Sequence, residues 1–226
     1  MKHFIALTAV AALAFGCGAK KEDEENNKNL QDGTWVEACR QHGGSGSSSF
    51  RLLNLLQDTG TGDTGGNTGG DSSPEYSKMT LKFDGSTFTA ESGNYSDANC
   101  TTQTTGNKIE GTYKSGDDAA KPGTAVEGAT AIDISVTSMM VKFTTAEYVT
   151  MAASLCNPAP TINTYIDYST CNFGENGGGG PKKGEVWYMI FKASETELFW
   201  GNDETGDGKT AATRPTALET KAMTKG

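Results

Sequence analysis

The chain has 226 residues, a formal net charge of −9 and 35% hydrophobic residues, which suffices for one domain with its own core. The 28 acidic residues outnumber the 19 basic ones, so a broad basic face is excluded and nucleic acid is not an expected partner. Only two histidines are present, which leaves little acid–base or metal chemistry near neutral pH. We therefore expect no enzymatic activity, no cofactor and no metal site.

The first segment of the chain has the composition of an export signal. A short basic start, residues 1–3, precedes residues 4–16, which are apolar apart from Thr8 and end in small residues. This order of features is typical of a secretory signal peptide. The apolar run is too short to cross a bilayer, which needs ~20 apolar residues. We predict that residues 1–16 are a lipoprotein signal peptide.

Residues 13–17 read Leu-Ala-Phe-Gly-Cys, and this run resembles the lipobox of bacterial lipoproteins. In that family the chain is cut before the cysteine and the thiol receives acyl chains, so the resemblance implies lipidation of Cys17, palmitate and a membrane partner. Gly18 stands where an aspartate would favour inner-membrane retention, so the resemblance implies an exported protein anchored in the outer membrane, on its periplasmic or surface face. The alternative is cleavage after Ala14, which would release a soluble secreted protein.

The number of cysteines is consistent with lipidation. If Cys17 is acylated, an even number remains for two disulfides in an oxidising compartment. The four remaining residues are Cys39, Cys100, Cys156 and Cys171. They permit three pairings, of which Cys156–Cys171 would close a short loop and Cys39–Cys100 would tie the first strand to a later one. No Cys-x-x-Cys motif is present, so we expect structural disulfides rather than a metal or redox site.

Composition divides the rest of the chain. Residues 17–32 are charged and without periodicity, which predicts a flexible tether. Residues 33–218 are predicted to form a β domain, interrupted by a Gly/Ser/Thr-rich disordered loop at 42–73. Residues 219–226 are predicted to be a polar tail.

Alternation of apolar and polar residues predicts most of the strands. The predicted strands cover residues 33–39, 76–83, 86–92, 108–114, 131–143, 185–192 and 197–201. Asp84-Gly85 is a hairpin signal, and the alternation changes face near Thr137-Ser138, which predicts a bend or bulge. Residues 145–156 are predicted to form the one short helix, with Thr145 as its N-cap and an apolar stripe that includes Met151.

The opening motif Gly33-Thr34-Trp35, followed by short alternating strands, resembles the lipocalin or calycin family. The resemblance implies a single antiparallel up-and-down β-barrel, or a strongly curled sheet, with one short helix near 145–156. It also implies that Trp35 plugs the closed base of the barrel and that Arg214 stacks over it, a cation–π contact worth ~1 kcal/mol. Small bacterial lipoproteins with a lipocalin-like domain share runs of the type found at 95–100 and 214–218.

A barrel of this kind either binds one small ligand or fills its interior with side chains. The first alternative predicts an envelope-anchored, non-catalytic protein that binds a small apolar ligand. The residues that could line such a cavity are Phe88, Tyr113, Met139, Met140, Trp187 and Trp200. The second alternative predicts a side-chain-filled barrel that contacts envelope or cell-surface proteins through its loops.

Overall fold

The structure is a computed structural model that describes residues 32–42, 75–116, 119, 126–172 and 182–226. The strands are β1 (Asp32–Val36), β2 (Arg40–His42), β3 (Glu75–Asp84), β4 (Thr87–Tyr95), β5 (Gln103–Ser115), β6 (Thr130–Phe143), β7 (Tyr165–Asp167), β8 (Val186–Ala193), β9 (Glu197–Trp200) and β10 (Met223–Lys225). The helix α1 covers Ala146–Ala153. The signal peptide, Cys17, the tether up to residue 31 and loop residues 43–73 lie outside the described part, so the expectations about them stay predictions.

All ten strands belong to one antiparallel sheet whose hydrogen bonding returns to its starting strand. The order is β1-β10-β9-β8-β6-β5-β4-β3, and β3 pairs again with β1, so eight strands form a closed ring. The short strands β2 and β7 pair with the ends of β3 and β6 beside this ring. The predicted mainly β, antiparallel class is therefore confirmed.

Alternating residues place the core on one face of each strand. In β3, Met79, Leu81 and Phe83 are buried, whereas the intervening Lys82 is exposed. The β3–β4 hairpin pairs Phe83 with Phe88 through a tight turn in which Gly85 has φ +58°. Glycine adopts this left-handed conformation without the steric cost that other residues meet, which explains the hairpin predicted there.

The predicted change of face in β6 is a β-bulge at Thr137. In the β5–β6 ladder Ser138 pairs with Glu110 and Val136 pairs with Gly111, so Thr137 is the additional residue. Its hydroxyl donates to the Glu110 carbonyl at 3.1 Å. A bulge shifts the alternation by one residue, and for this reason both Val136 and Met139 are buried.

The helix forms where it was predicted, but its buried face is smaller. The Thr145 side chain accepts from the Tyr148 N–H at 3.3 Å, which confirms the N-cap. Ala152 is buried against Val141 and Phe143 in a small second cluster. Met151 is 40% exposed, so its assignment to the apolar stripe is wrong. No helix among the described residues has the length and hydrophobicity needed to cross a membrane.

The described part of the chain contains two disulfides, between Cys39 and Cys100 and between Cys156 and Cys171. The first ties the segment after β1 to the loop between β4 and β5. The second ties the segment after α1 to the residue that follows the turn Tyr168–Thr170, next to β7. Each bond therefore ties two connecting segments together, as expected for structural disulfides.

Two short strands extend into segments that were predicted to be irregular. Residues 219–226 were expected to form a polar tail, but Met223–Lys225 forms β10 and closes the ring between β1 and β9. Arg40–His42 forms β2, so His42 belongs to a strand and not to the predicted loop. Three residues are too few for a period-two pattern to be recognised, because only one inward apolar residue, Met223, marks β10.

Candidate binding site inside the sheet

The inward faces of the ring bring five aromatic side chains into contact at one end. Phe83 lies 5.3 Å from Phe88 and 5.3 Å from Tyr113, measured between ring centroids. Trp200 is stacked on Phe88 at 6.3 Å and lies 6.1 Å from Trp187. We call these five residues the aromatic cluster. Four of the predicted cavity residues therefore do lie together, and their rings fill much of this region by packing against each other.

The two predicted cavity methionines lie on opposite faces of β6. Met139 is buried in the same core cluster as the aromatic rings. Met140 is half-buried on the outer face, where its ladder partners are Lys108 and Asp167. Its assignment to the cavity is wrong, because the bulge at Thr137 leaves the odd-numbered residues of this half of β6 facing inward.

The other end of the interior is polar. Ser77, Asn94 and Thr105 are buried and stand in register on three neighbouring strands, since Ser77 pairs with Asn94 and Asn94 with Thr105. Asn107 is also buried and follows Thr105 by two residues, on the same side of β5 as the core residue Ile109. We call these four residues the polar layer: Ser77, Asn94, Thr105 and Asn107.

Two atoms of the polar layer have unused hydrogen-bonding capacity. Thr105 and Asn107 are each 4% exposed. Among the described residues, neither Thr105 Oγ1 nor Asn107 Nδ2 has a hydrogen-bond partner. Burying an unsatisfied polar group costs ~1–3 kcal/mol, so native proteins seldom retain such a group without a use for it.

A pair of opposite charges lies beside the polar layer. The Glu37 N–H donates to the Met79 carbonyl at 2.8 Å, which continues the β1–β3 pairing and leaves Glu37 on the same face as Trp35. Glu37 Oε1 lies 3.1 Å from Arg40 Nε, and Arg40 pairs with Ser77 in the β2–β3 ladder. Burial raises the pKa of Glu37 above its ordinary value, while the Arg40 charge opposes this shift.

Arg214 occupies a different place from the one the lipocalin resemblance implies. Its Nη1 donates to the carbonyls of Ile132 at 2.7 Å and Met189 at 2.8 Å, and its Nη2 forms an ion pair with Asp133. Its guanidinium lies 5.1 Å from the Tyr188 ring centroid. These contacts of Arg214 hold the segment after β9 against β6 and β8.

The cation over the Trp35 ring is Lys225, at 5.7 Å from Nζ to the ring centroid. The predicted stacking of Arg214 on Trp35 is therefore wrong. Lys225 is the ladder partner of Trp35 because β10 lies next to β1. This pairing joins two strands that are far apart in the sequence, and no local sequence pattern indicates it.

Comparison with known proteins adds no family assignment. No family model matches the chain, and no curated protein matches it. Among the described residues, no group of three or more His, Cys, Asp or Glu side chains could hold a metal ion.

Proposed function

We propose that this protein is an exported, non-catalytic binding lipoprotein, anchored in the outer membrane through Cys17, whose lipocalin-like β-barrel holds a small ligand with an apolar part. The observation that carries the proposal is the two-part interior of the closed ring. One end is aromatic, and the other end holds buried polar groups with unused hydrogen-bonding capacity. Small-molecule sites combine an apolar lining with a few such polar groups.

The anchor is supported by the sequence that precedes the sheet. Residues 4–16 are apolar and Gly16-Cys17 ends a lipobox-like run, and two disulfides fit an oxidising compartment. Metabolic labelling with palmitate tests this part directly. We expect label on the wild-type chain and none on Cys17→Ser. Equal labelling of the two chains, or no label on either, would contradict lipidation at Cys17.

The ligand site is testable by tryptophan fluorescence. Trp35 and Trp200 are buried in the core, so occupation of the interior should change their emission. Titration of the Cys17→Ser chain with medium-chain fatty compounds and retinoids should give a saturable change for at least one compound. A matched pair of variants separates the two faces of β6. Met139→Ala should weaken binding because Met139 faces inward, whereas Met140→Ala should not.

A second function is favoured by one specific observation. The rings of the aromatic cluster lie 5.3–6.3 Å apart and pack on each other, as in a side-chain-filled interior. If the interior is filled, it has no room for a ligand, and the protein would instead contact other envelope or cell-surface proteins through its loops. Deletion of residues 43–73, which keeps β2 intact, should then abolish capture of a specific envelope partner. Capture that is unchanged by the deletion would exclude these loops from the function.

A further inference from the structure

The two atoms of the polar layer that have no partner among the described residues lie on one strand, on the same face. Thr105 and Asn107 are two residues apart on β5, so their side chains emerge on one face from Cα atoms that lie ~7 Å apart along the strand. Asn107 Nδ2 is a donor, and Thr105 Oγ1 both donates and accepts. A single ligand group that carries oxygen atoms has the chemistry to satisfy both.

Packing alone does not explain polar residues at these two positions. The next inward residues along β5 are Ile109 and Tyr113, and the ladder partners of Thr105 and Asn107 on β6 are Phe143 and Val141. Valine and leucine have similar shapes to threonine and asparagine and would add apolar contacts without leaving polar atoms unsatisfied. The retention of polar residues here therefore points to a bound partner.

The charges near the polar layer favour an uncharged partner. Glu37 is paired with Arg40 at 3.1 Å. The charges of Glu219 and Lys221 also reach Glu37, and they act in opposite directions. The charges that act on Glu37 thus include both signs. Glu37 and Arg40 already compensate each other, so neither offers a free counter-charge to a carboxylate, phosphate or ammonium on the ligand, and burying such a group would be costly.

The path from the polar layer into the sheet is apolar. Met79 follows Ser77 on the inner face of β3, and Ile109 follows Asn107 on that of β5. Beyond them lies the aromatic cluster, in which Phe88 is stacked on Trp200. A ligand whose polar group contacts Thr105 and Asn107 would therefore place its remainder against apolar side chains.

From these observations we infer that the interior binds a neutral amphiphile, with Thr105 and Asn107 hydrogen-bonding its uncharged hydroxyl, carbonyl or amide head group. The apolar tail points toward the aromatic cluster. This inference rests on the proposed function, since it names the ligand class for the same interior site. It also explains why Thr105 and Asn107 keep buried polar atoms that have no partner among the described residues, as functional sites often do at the expense of stability.

The test compares two probes that differ in head-group charge. The Cys17→Ser chain is titrated at pH 8 with 1-decanol and with decanoate, and binding is followed by tryptophan fluorescence and calorimetry. We expect decanol to bind at least tenfold more tightly than decanoate. Tighter binding of decanoate would overturn the neutral head group. If neither probe binds, the proposed function itself fails, and the inference fails with it.

Variants of the polar layer separate a binding role from a structural one. Thr105→Val and Asn107→Leu should each weaken decanol binding at least tenfold and raise the Tm of the ligand-free protein by about 4 °C, because each removes a buried unsatisfied group. Thr105→Ser keeps the hydroxyl and should retain binding, and Thr112→Val, at an exposed position of the same strand, should change neither property. Unchanged binding in the first two variants would overturn the inference but leave an interior ligand possible. A lowered Tm would also overturn it, because the polar layer would then be structural.

Discussion

Closure of the sheet by β10 can be tested by the effect of one substitution on stability. Met223 is 3% exposed, belongs to the main core cluster and pairs with Leu198 of β9. Truncation of a buried methionine to alanine costs ~2–5 kcal/mol, because the transfer free energy is lost and a cavity remains. For a chain of this size we expect Met223→Ala to lower the Tm by roughly 4–20 °C, at about 2–4 °C per kcal/mol.

The assay is urea unfolding followed by tryptophan fluorescence, with Thr224→Ala as the matched control on the same strand. Thr224 is exposed, and its substitution should change the free energy of unfolding by no more than about 0.5 kcal/mol. If the terminal residues were a polar tail outside the sheet, the two variants would have the same stability. Equal midpoints for Met223→Ala and Thr224→Ala would therefore refute closure by β10.

Three further predictions concern features around the sheet. Hydrogen bonds, first among them that from the Thr102 N–H, lower the pKa of Asp97 from 3.8 to about 2. Because this folded-state pKa is depressed, the ionised carboxylate stabilises the folded state above pH 3.8, and this stabilisation is lost as the pH falls through about 2. In urea titrations Asp97→Asn should lack this part of the acid dependence. Replacement of both Cys156 and Cys171 by serine opens a loop of 15 residues and should lower the free energy of unfolding by ~3 kcal/mol. Arg214→Met removes one partner of a buried ion pair and should cost ~3 kcal/mol in the same assay.

Each of these predictions has an outcome that contradicts it. Acid sensitivity that is the same in wild type and Asp97→Asn would mean that this carboxylate does not stabilise its loop. Wild-type stability in the double serine variant would show that the Cys156–Cys171 disulfide does not stabilise the folded state. A wild-type unfolding midpoint for Arg214→Met would show that the segment after β9 is held without Arg214.

The sequence allowed the inner faces of the long strands to be predicted. Ile132, Ile134 and Val136 alternate strictly with polar residues, and all three are buried. The change of phase near Thr137 was also visible, because two methionines in a row, Met139 and Met140, interrupt the alternation. Which of the two faces inward was not visible, since that depends on which residue of β6 the β5 ladder skips.

The polar layer and the closing strand could not be predicted, for two different physical reasons. Thr105 and Asn107 are polar residues on an inward face, so the alternation that marks β5 becomes recognisable only from residue 108 onward. The neighbour of Trp35 is Lys225, 190 positions away in the printed sequence. No local pattern encodes a pairing between such distant segments, and it arises only when the whole ring closes.

Chemical-shift mapping by NMR tests the central claim, binding of a ligand inside the sheet, most directly. Adding 1-decanol to the isotope-labelled Cys17→Ser chain should produce saturable shifts at Thr105, Asn107 and Ile109, with contacts from the decanol methylene protons to Phe88. Thr112, on the outer face of β5, should not shift. Shifts confined to outward-facing residues, or none that saturate, would contradict an interior site.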